Sequence, residues 1–162
     1  MNIVAPTLRR ARSEDASACL ALVSGVLAEF GLRPDPCGTD ADLADFDAAY
    51  FARGGDFVVL TDAAGTIVGT CGLFPIDTAR GAPRTVELRK MYLAPALRGA
   101  GQGRRLLEWA FARARELDFR RMTLETATVL KDAIALYERN GFRRDSAAAH
   151  SCRCDLAYTR EL

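Results

Sequence analysis

Apolar positions along the chain recur with two different periods, and polar or glycine-rich stretches separate the runs. The helical period is clear over 13–30, where Ser13 is the expected N-cap and Gly31 ends the segment. An acidic, alanine-rich stretch from Thr39 to Ala52 is predicted as a second helix. The first part of the chain therefore predicts one short strand near its start, followed by two helices.

Strand-like runs dominate the middle of the chain. Short β-rich runs at 57–60 and 66–74 are joined by an Asp-Ala-Ala-Gly turn, which predicts a hairpin. A third strand is predicted over 85–93, and it ends before Pro95 because proline cannot extend a central strand.

Helices and strands alternate in the second half. The predicted elements are a helix from about Gly103 to Leu117, a strand at 122–126, a helix at 132–140 and a strand at 153–158. The second of these helices is expected to end at Gly141, in the C′ position of a Schellman cap. The full order, about βααβββαβαββ, predicts a mixed α/β fold: one domain over 1–162 with a mixed central sheet flanked by helices.

The charge is nearly balanced overall but unevenly distributed. A formal net charge of +1 argues against a dedicated nucleic-acid binder, whose domain pI usually exceeds about 9. Residues 1–56 carry 5 basic and 9 acidic side chains, whereas residues 84–121 carry 10 basic and 4 acidic ones. All but two of the basic residues are arginine, the exceptions being Lys90 and Lys131. The second half therefore suits an anionic ligand.

The cysteine count and the first residues of the chain indicate the cellular compartment that is expected. The five cysteines are an odd count behind a start without a signal-like apolar segment, so reduced thiols in a cytoplasmic protein are expected. No apolar run is long enough to cross a membrane. His150, Cys152 and Cys154 lie close together, but they lack the usual zinc spacing and a second ligand pair, so no metal is expected.

The most informative stretch is 87–105, ELRKMYLAPALRGAGQGRR. Its three alternating glycines, at 99, 101 and 103, stand between a predicted strand and a predicted helix. Glycine lets the backbone approach a ligand closely, and the free N–H groups of a helix N-terminus bind anions. The stretch lacks the Gly-Lys-Ser/Thr of a Walker A loop and the spacing of a dinucleotide fingerprint. A pyrophosphate is therefore the expected ligand, and a turn that only caps the helix is the alternative.

This loop has a partner motif further along the chain. Arg98-x-x-Gly101-x-Gly103 follows the ELRKMYL strand, and LYERNGF (136–142) lies about 35 residues beyond the loop. The combination resembles the GNAT superfamily of acyl-CoA-dependent N-acyltransferases. The resemblance covers about residues 84–145 in detail. It implies an N-acetyltransferase that uses acetyl-CoA as its cosubstrate.

The resemblance also implies roles for individual residues. The CoA-binding residues would be Met91, Tyr92, Leu93, Arg98, Gly99, Ala100, Gly101, Gln102, Gly103, Arg104 and Tyr137. Tyr137 matches a tyrosine that hydrogen-bonds the CoA sulfur and protonates the leaving thiolate, although a packed core aromatic is the alternative. Arg139 would approach the adenosine 3′-phosphate or remain solvated. Leu130 departs from the family pattern, because an asparagine that contacts the cofactor arm commonly stands there.

Glu87 is the candidate base. An alkyl amine with a pKa near 10.4 is only about 0.04% free base at pH 7, so its attack on the thioester requires deprotonation. A carboxylate in this part of the strand would act directly or through water, and an ion pair with Arg89 is the alternative. A strand N–H near Met91 would meet the oxyanion. The expected mechanism is direct attack in a ternary complex, since Cys71 is better explained as a small buried hydrophobe than as a nucleophile.

The acceptor and other partners are less well defined by the sequence. The acceptor would be a small-molecule or peptide amine, with no nucleic acid and no membrane involved and a homodimer through the C-terminal strands left open. Five aspartates fall where this fold would build the acceptor pocket: Asp35, Asp40, Asp42, Asp45 and Asp47. They indicate either an acidic rim for a cationic amine or a solvated helix. A non-catalytic CoA-binding sensor or interaction module is the alternative function.

Overall fold

The strands predicted from the sequence assemble into one mixed sheet. The computed structural model describes residues 5–148 and 153–162. Within these ranges the sheet has seven strands in the order β1-β2-β3-β4-β5-β7-β6. The strands are β1 (Thr7–Arg10), β2 (Asp56–Thr61), β3 (Ile67–Ile76), β4 (Thr85–Leu93), β5 (Arg121–Thr126), β6 (Arg143–Arg144) and β7 (Leu156–Glu161). The helices are α1 (Ala16–Glu29), α2 (Gln102–Glu116) and α3 (Lys131–Arg139).

The pairing divides the sheet into two parts. Strands β1 to β4 are antiparallel neighbours, β4 and β5 are parallel, and β7 runs antiparallel to both β5 and β6. A parallel pair needs a crossover connection, and α2 supplies it between β4 and β5. The mixed α/β fold predicted from the sequence is therefore confirmed, and the strands and helices follow the predicted order except at the second predicted helix.

Both faces of the sheet are covered, as the alternation along β2 shows. Val58 and Leu60 join the apolar core that contains α2 and α3, whereas Phe57 and Val59 join the core that contains α1. Successive side chains of a strand point to opposite faces, so a strand buried on both faces is apolar throughout. No helix within 5–148 or 153–162 combines the length and the apolar character that a membrane span requires.

The prediction of one continuous helix from Thr39 to Ala52 is wrong. This stretch forms a 3-10 turn (Ala41–Leu43) and a single π-helical turn (Asp47–Phe51). The ring of Tyr50 lies 4.9 Å from that of Phe57, and its hydroxyl donates to Asp42 at 2.6 Å. The packing of Tyr50 on β2 and this internal hydrogen bond outweigh the helix propensity of the alanines.

Two smaller boundaries also differ from the prediction. Ser13 lies inside a 3-10 turn (Ser13–Asp15) that leads into α1, and the carboxylate of Asp15 accepts the N–H of Arg12 at 2.7 Å. The last strand begins at Leu156 rather than at residue 153.

Candidate active site

Two parallel strands that separate create the cleft. Strands β4 and β5 pair only from Thr85–Arg121 to Glu87–Thr123, although β4 continues to Leu93. Beyond this point β5 remains paired with β7, so the two parallel strands diverge. The resulting open cleft has a volume of about 1580 Å³, and α1, β4, α2 and α3 all contribute residues to its walls.

A β-bulge shapes the part of β4 that faces the cleft. Cys71 on β3 stands opposite both Lys90 and Met91, and Lys90 has a φ of 53°. The hydroxyl of Thr70 donates to the carbonyl oxygen of Lys90 at 2.7 Å and holds the bulge in place. The predicted residues Met91, Tyr92 and Leu93 all line the cleft. Among the described strands, this edge of β4 is unpaired beyond Glu87, so an extended ligand could add to it as a strand does.

The glycine loop lies at the N-terminus of α2, as predicted. Gly99 and Gly101 have φ values of 75° and 77°, which other residues adopt only with strain. Within the described chain, the first N–H after the glycine loop that bonds to a backbone carbonyl of α2 or its N-cap is that of Arg105. It donates to the carbonyl oxygen of Gly101 at 3.0 Å. The preceding N–H groups are therefore available to an anion. A Cβ at Gly103 would come within 3.2 Å of Leu136, which ties the loop to α3.

The predicted residues of this loop differ in their exposure to the cleft. Gly99, Gly101, Gly103 and Arg104 line it, whereas Ala100 and Gln102 are not among the lining residues. Arg104 is exposed and donates to Glu108 on its own helix at 2.7 Å.

Arg98 lines the cleft but already has partners. Its guanidinium donates to both carboxylate oxygens of Glu29 on α1, at 2.7 and 3.1 Å, and to the carbonyl oxygen of Leu93 at 3.1 Å. Arg98 therefore connects the glycine loop to α1 and to the end of β4.

Residues close to Tyr137 in the sequence hold it in the cleft. Gly141 has a φ of 85°, its N–H donates to the carbonyl of Glu138, and the N–H of Phe142 donates to that of Tyr137. These bonds form the Schellman cap predicted from the sequence, and the ring of Phe142 packs 5.8 Å from that of Tyr137. Tyr137 is 7% exposed and lines the cleft. Burial raises the pKa of its phenol, which remains protonated at neutral pH.

Glu87 lines the same cleft and forms the ion pair with Arg89 that is the alternative to a base role. Its carboxylate accepts from Arg89 at 2.8 Å. The Arg89 guanidinium also lies 3.7 Å from Asp42 and 3.7 Å from the ring centre of Phe74. The base role of Glu87 remains a prediction, with Arg89 positioned to fix the carboxylate in place.

A buried network of charges, not predicted from the sequence, lies beside the cleft. Lys90 reaches Asp40 and Asp42, both at 3.2 Å, and donates to the carbonyl oxygen of Thr39 at 2.8 Å. The guanidinium of Arg153 donates to both carboxylate oxygens of Asp40, at 2.6 and 2.7 Å. Asp40 is 2% exposed. Asp40 and Asp42 are therefore neither a free acidic rim nor part of a solvated helix, and both expectations are wrong for these two residues.

Few sequence signals could have revealed this network. Lys90 is one of two lysines in a chain rich in arginine, and it interrupts a strand with a residue that is seldom buried without a partner. The network also joins remote parts of the chain, since Asp40 and its partner Arg153 lie 113 residues apart.

The cysteines and the suspected metal cluster can be placed in part. Cys19, Cys37 and Cys71 are free thiols, and Cys154 forms no disulfide within the described residues. His150 and Cys152 lie outside the described residues. In the part of the chain that the structure describes, no three His, Cys, Asp or Glu side chains converge in a metal-binding arrangement.

Comparison with known proteins identifies the class that this fold and cleft define. Residues 25–142 match the model of the Acetyltransferase (GNAT) family, and the chain belongs to this family. It is similar to the uncharacterised N-acetyltransferase YjgM of Escherichia coli (strain K12), with 36% identity over 171 aligned positions that cover the whole of both chains. The chain is thus an acyltransferase.

Solved structures agree on the fold. A GNAT-family acetyltransferase from Staphylococcus aureus Mu50 superposes with a TM-score of 0.86 at 22% identity, covering 97% of this chain and 99% of that one. A phosphinothricin acetyltransferase from Sinorhizobium meliloti, solved in complex with acetyl-CoA, has a TM-score of 0.76 at 22% identity and covers 98% of this chain and 89% of its own.

Proposed function

We propose that residues 1–162 form one N-acetyltransferase domain that transfers the acetyl group of acetyl-CoA to a primary amine by direct attack within a ternary complex. One observation carries the proposal: a single cleft brings together an unpaired strand edge, a glycine-rich helix N-terminus and a buried tyrosine hydroxyl. These three features match the pantetheine amides, the pyrophosphate and the sulfur of one acyl-CoA molecule.

The two polar parts of acetyl-CoA would be held by backbone groups. The N–H groups from Gly99 to Arg104 would bind the pyrophosphate, with the exposed guanidinium of Arg104 beside them. The edge of β4 at Met91 and Leu93 would pair with the amides of the pantetheine arm. Leu130 lines the cleft and offers an apolar contact in place of the asparagine amide common in the family.

Tyr137 would act on the sulfur as the C–S bond breaks. Burial raises the pKa of its phenol well above that of a thiol, which is near 8.5. The phenol is therefore fully protonated, and its hydroxyl donates a hydrogen bond to the developing thiolate. Because phenolate is the stronger base, stabilisation of the thiolate contributes more than complete proton transfer before CoA leaves.

The remaining steps involve β4. The amine nitrogen bonds to the thioester carbon, its proton passes to Glu87 directly or through water, and the oxyanion is met by an N–H near Met91. When the tetrahedral intermediate collapses, the C–S bond breaks and CoA leaves. A covalent acyl-cysteine at Cys71 is disfavoured, since that thiol is fully buried and burial raises its pKa.

An assay of the wild-type chain tests the function. With acetyl-CoA and a panel of primary amines, we expect stoichiometric release of CoA and formation of the N-acetylated amine, measured by thiol titration and mass spectrometry. With acetyl-CoA alone, the mass of the protein should remain unchanged. Binding of acetyl-CoA without release of CoA for any amine would overturn the proposed function, and an acetylated protein would overturn direct attack.

Replacement of Glu87 by glutamine tests the base. We expect kcat/KM to fall about 10²-fold at pH 7, and the loss to shrink as pH rises towards the pKa of the amine, because more acceptor is then already deprotonated. The measurement is the pH profile of kcat/KM for wild type and variant.

Glu116→Gln is the matched control for this change. Glu116 is exposed on α2 and accepts from Arg113 at 3.0 Å, so the same substitution breaks an ion pair outside the cleft and should leave the profile unchanged. A loss at Glu87→Gln that is the same at every pH would indicate that Glu87 only holds Arg89.

A further inference from the structure

We propose that the acceptor amine carries a carboxylate, as an amino acid does, and that this carboxylate binds at Arg53 on the acceptor side of the cleft. The inference rests on the proposed function and names the substrate class of the same site. It follows from the charges of a surface that we call the acceptor wall, formed by Arg53, Phe74 and Arg89.

The acceptor wall is held together by stacking. The guanidinium carbons of Arg53 and Arg89 lie 4.3 and 3.7 Å from the ring centre of Phe74, and all three residues line the cleft. Arg53 also donates to the carbonyl oxygen of Pro75 at 3.2 Å, which fixes its exposed side chain against the end of β3. Two guanidinium groups are thus held against one ring, and each gains a cation–π contact there.

Arg53 is distinguished from its neighbours by its lack of a carboxylate partner. Lys90 and Arg153 are neutralised by Asp40 and Asp42, and Arg89 is paired with Glu87. Across the described ranges, Arg53 forms no ion pair, and its guanidinium contacts the Phe74 ring and the Pro75 carbonyl. A planar guanidinium with free donors is well suited to bind a carboxylate in bidentate geometry.

The rest of this side of the cleft favours a zwitterion over a polyamine. Asp45 also lines the cleft, and no basic side chain pairs with it in the described chain; its carboxylate accepts the N–H of Ala48 at 3.0 Å. One unpaired cation and one unpaired carboxylate match a ligand that carries both charges. Small residues (Ala41, Ala48 and Ala49) leave room for its side chain.

The position of the candidate base supports the same class. Glu87 contacts Arg89, and Arg89 stacks on the ring that Arg53 also covers. The group proposed to deprotonate the amine therefore lies next to the wall proposed to bind the carboxylate. Because Arg89 and the Phe74 ring link the two groups, the arrangement suits an acceptor whose amino and carboxylate groups are joined by few bonds.

Matched acceptors and one substitution test the inference. For each standard amino-acid side chain, acetylation is measured with the amino acid, its carboxamide and its decarboxylated amine. In the set of three acceptors that is acetylated fastest, we expect the wild-type kcat/KM to be highest for the amino acid. Arg53→Gln should lower kcat/KM for it about tenfold or more, since a hydrogen bond to a charged group is lost. Arg53→Gln should leave kcat/KM for the carboxamide and the KM for acetyl-CoA unchanged.

Arg80→Gln is the control, because Arg80 is exposed outside the cleft and its loss changes the net charge equally. Equal turnover of the three members of each set, or an equal loss for all three in Arg53→Gln, would overturn the inference and leave the proposed function standing. If no amine is acetylated, the proposed function fails. Calorimetry with N-acetylated amino acids and CoA then tests carboxylate binding at the acceptor wall separately. Binding that Arg53→Gln weakens would support the inference, and the absence of binding would overturn it.

Discussion

Replacement of Tyr137 by phenylalanine is expected to lower kcat by about 10²–10⁴-fold while acetyl-CoA binds as tightly as to wild type. The ring keeps its packing against Phe142, and only the hydroxyl that would meet the sulfur is lost. Among the described contacts this hydroxyl has no hydrogen-bond partner, so its removal should leave the melting temperature within a few degrees of wild type. The measurements are steady-state kinetics, calorimetry with acetyl-CoA and thermal unfolding.

The matched control is Tyr158→Phe. Tyr158 lies in β7, away from the cleft, and donates to Glu138 at 2.9 Å, so the same atom is removed from a structural hydrogen bond. This variant should lose some stability and no turnover. A Tyr137→Phe enzyme with kcat within about threefold of wild type would show that Tyr137 is a packed aromatic whose hydroxyl does not serve the reaction.

The parts of the site that could be predicted are those encoded by neighbouring residues. Positive φ at Gly99, Gly101 and Gly141 strongly favours glycine at these positions. Gly99 and Gly101 lie just before α2, and Gly141 lies just after α3. The anion-binding helix terminus and the capped helix that carries Tyr137 are therefore both visible in short stretches of sequence.

The parts that could not be predicted depend on contacts between remote residues. The separation of β4 from β5 depends on how β7 pairs with β5, and no pattern within β4 reports it. The same holds for Arg98, which was predicted beside the phosphates and which contacts Glu29, 69 residues away. The basic segment is visible in the sequence, but the partner that a given arginine binds is decided by the fold.

The acidic stretch after Thr39 also could not be predicted from local sequence. Alanine and aspartate there favour a solvated helix when only local propensity is considered. In the structure, Asp40 and Asp42 instead turn inward to Lys90, and the chain forms two short helical turns around them. Burial of a charge requires a partner, and the partners come from β4 and from the segment before β7.

Asp40→Asn is expected to produce the largest loss of stability, about 3–5 kcal/mol, because it leaves the buried charges of Lys90 and Arg153 without their shared carboxylate. Urea unfolding near neutral pH measures the loss. Asp77→Asn makes the same chemical change on an exposed loop and should alter stability by no more than about 0.5 kcal/mol. A similarly small effect at Asp40 would show that solvent reaches the network and that the ion pairs contribute little.

The pH dependence of the same variant follows from the environment of Asp40. Burial on its own raises the pKa of this carboxyl, but the hydrogen bonds from Arg153 and the N–H of Asp35, with the charge of Lys90, outweigh it and lower the pKa to about 2. A group whose pKa is lower in the folded state stabilises the fold above its unfolded pKa, here 3.8, and loses that contribution as pH falls towards 2. Wild-type stability should therefore decline between pH 4 and pH 2 more steeply than that of Asp40→Asn, so the two unfolding curves should approach each other in acid. Parallel curves would mean that Asp40 is not the carboxylate that holds Lys90 and Arg153 in the folded protein.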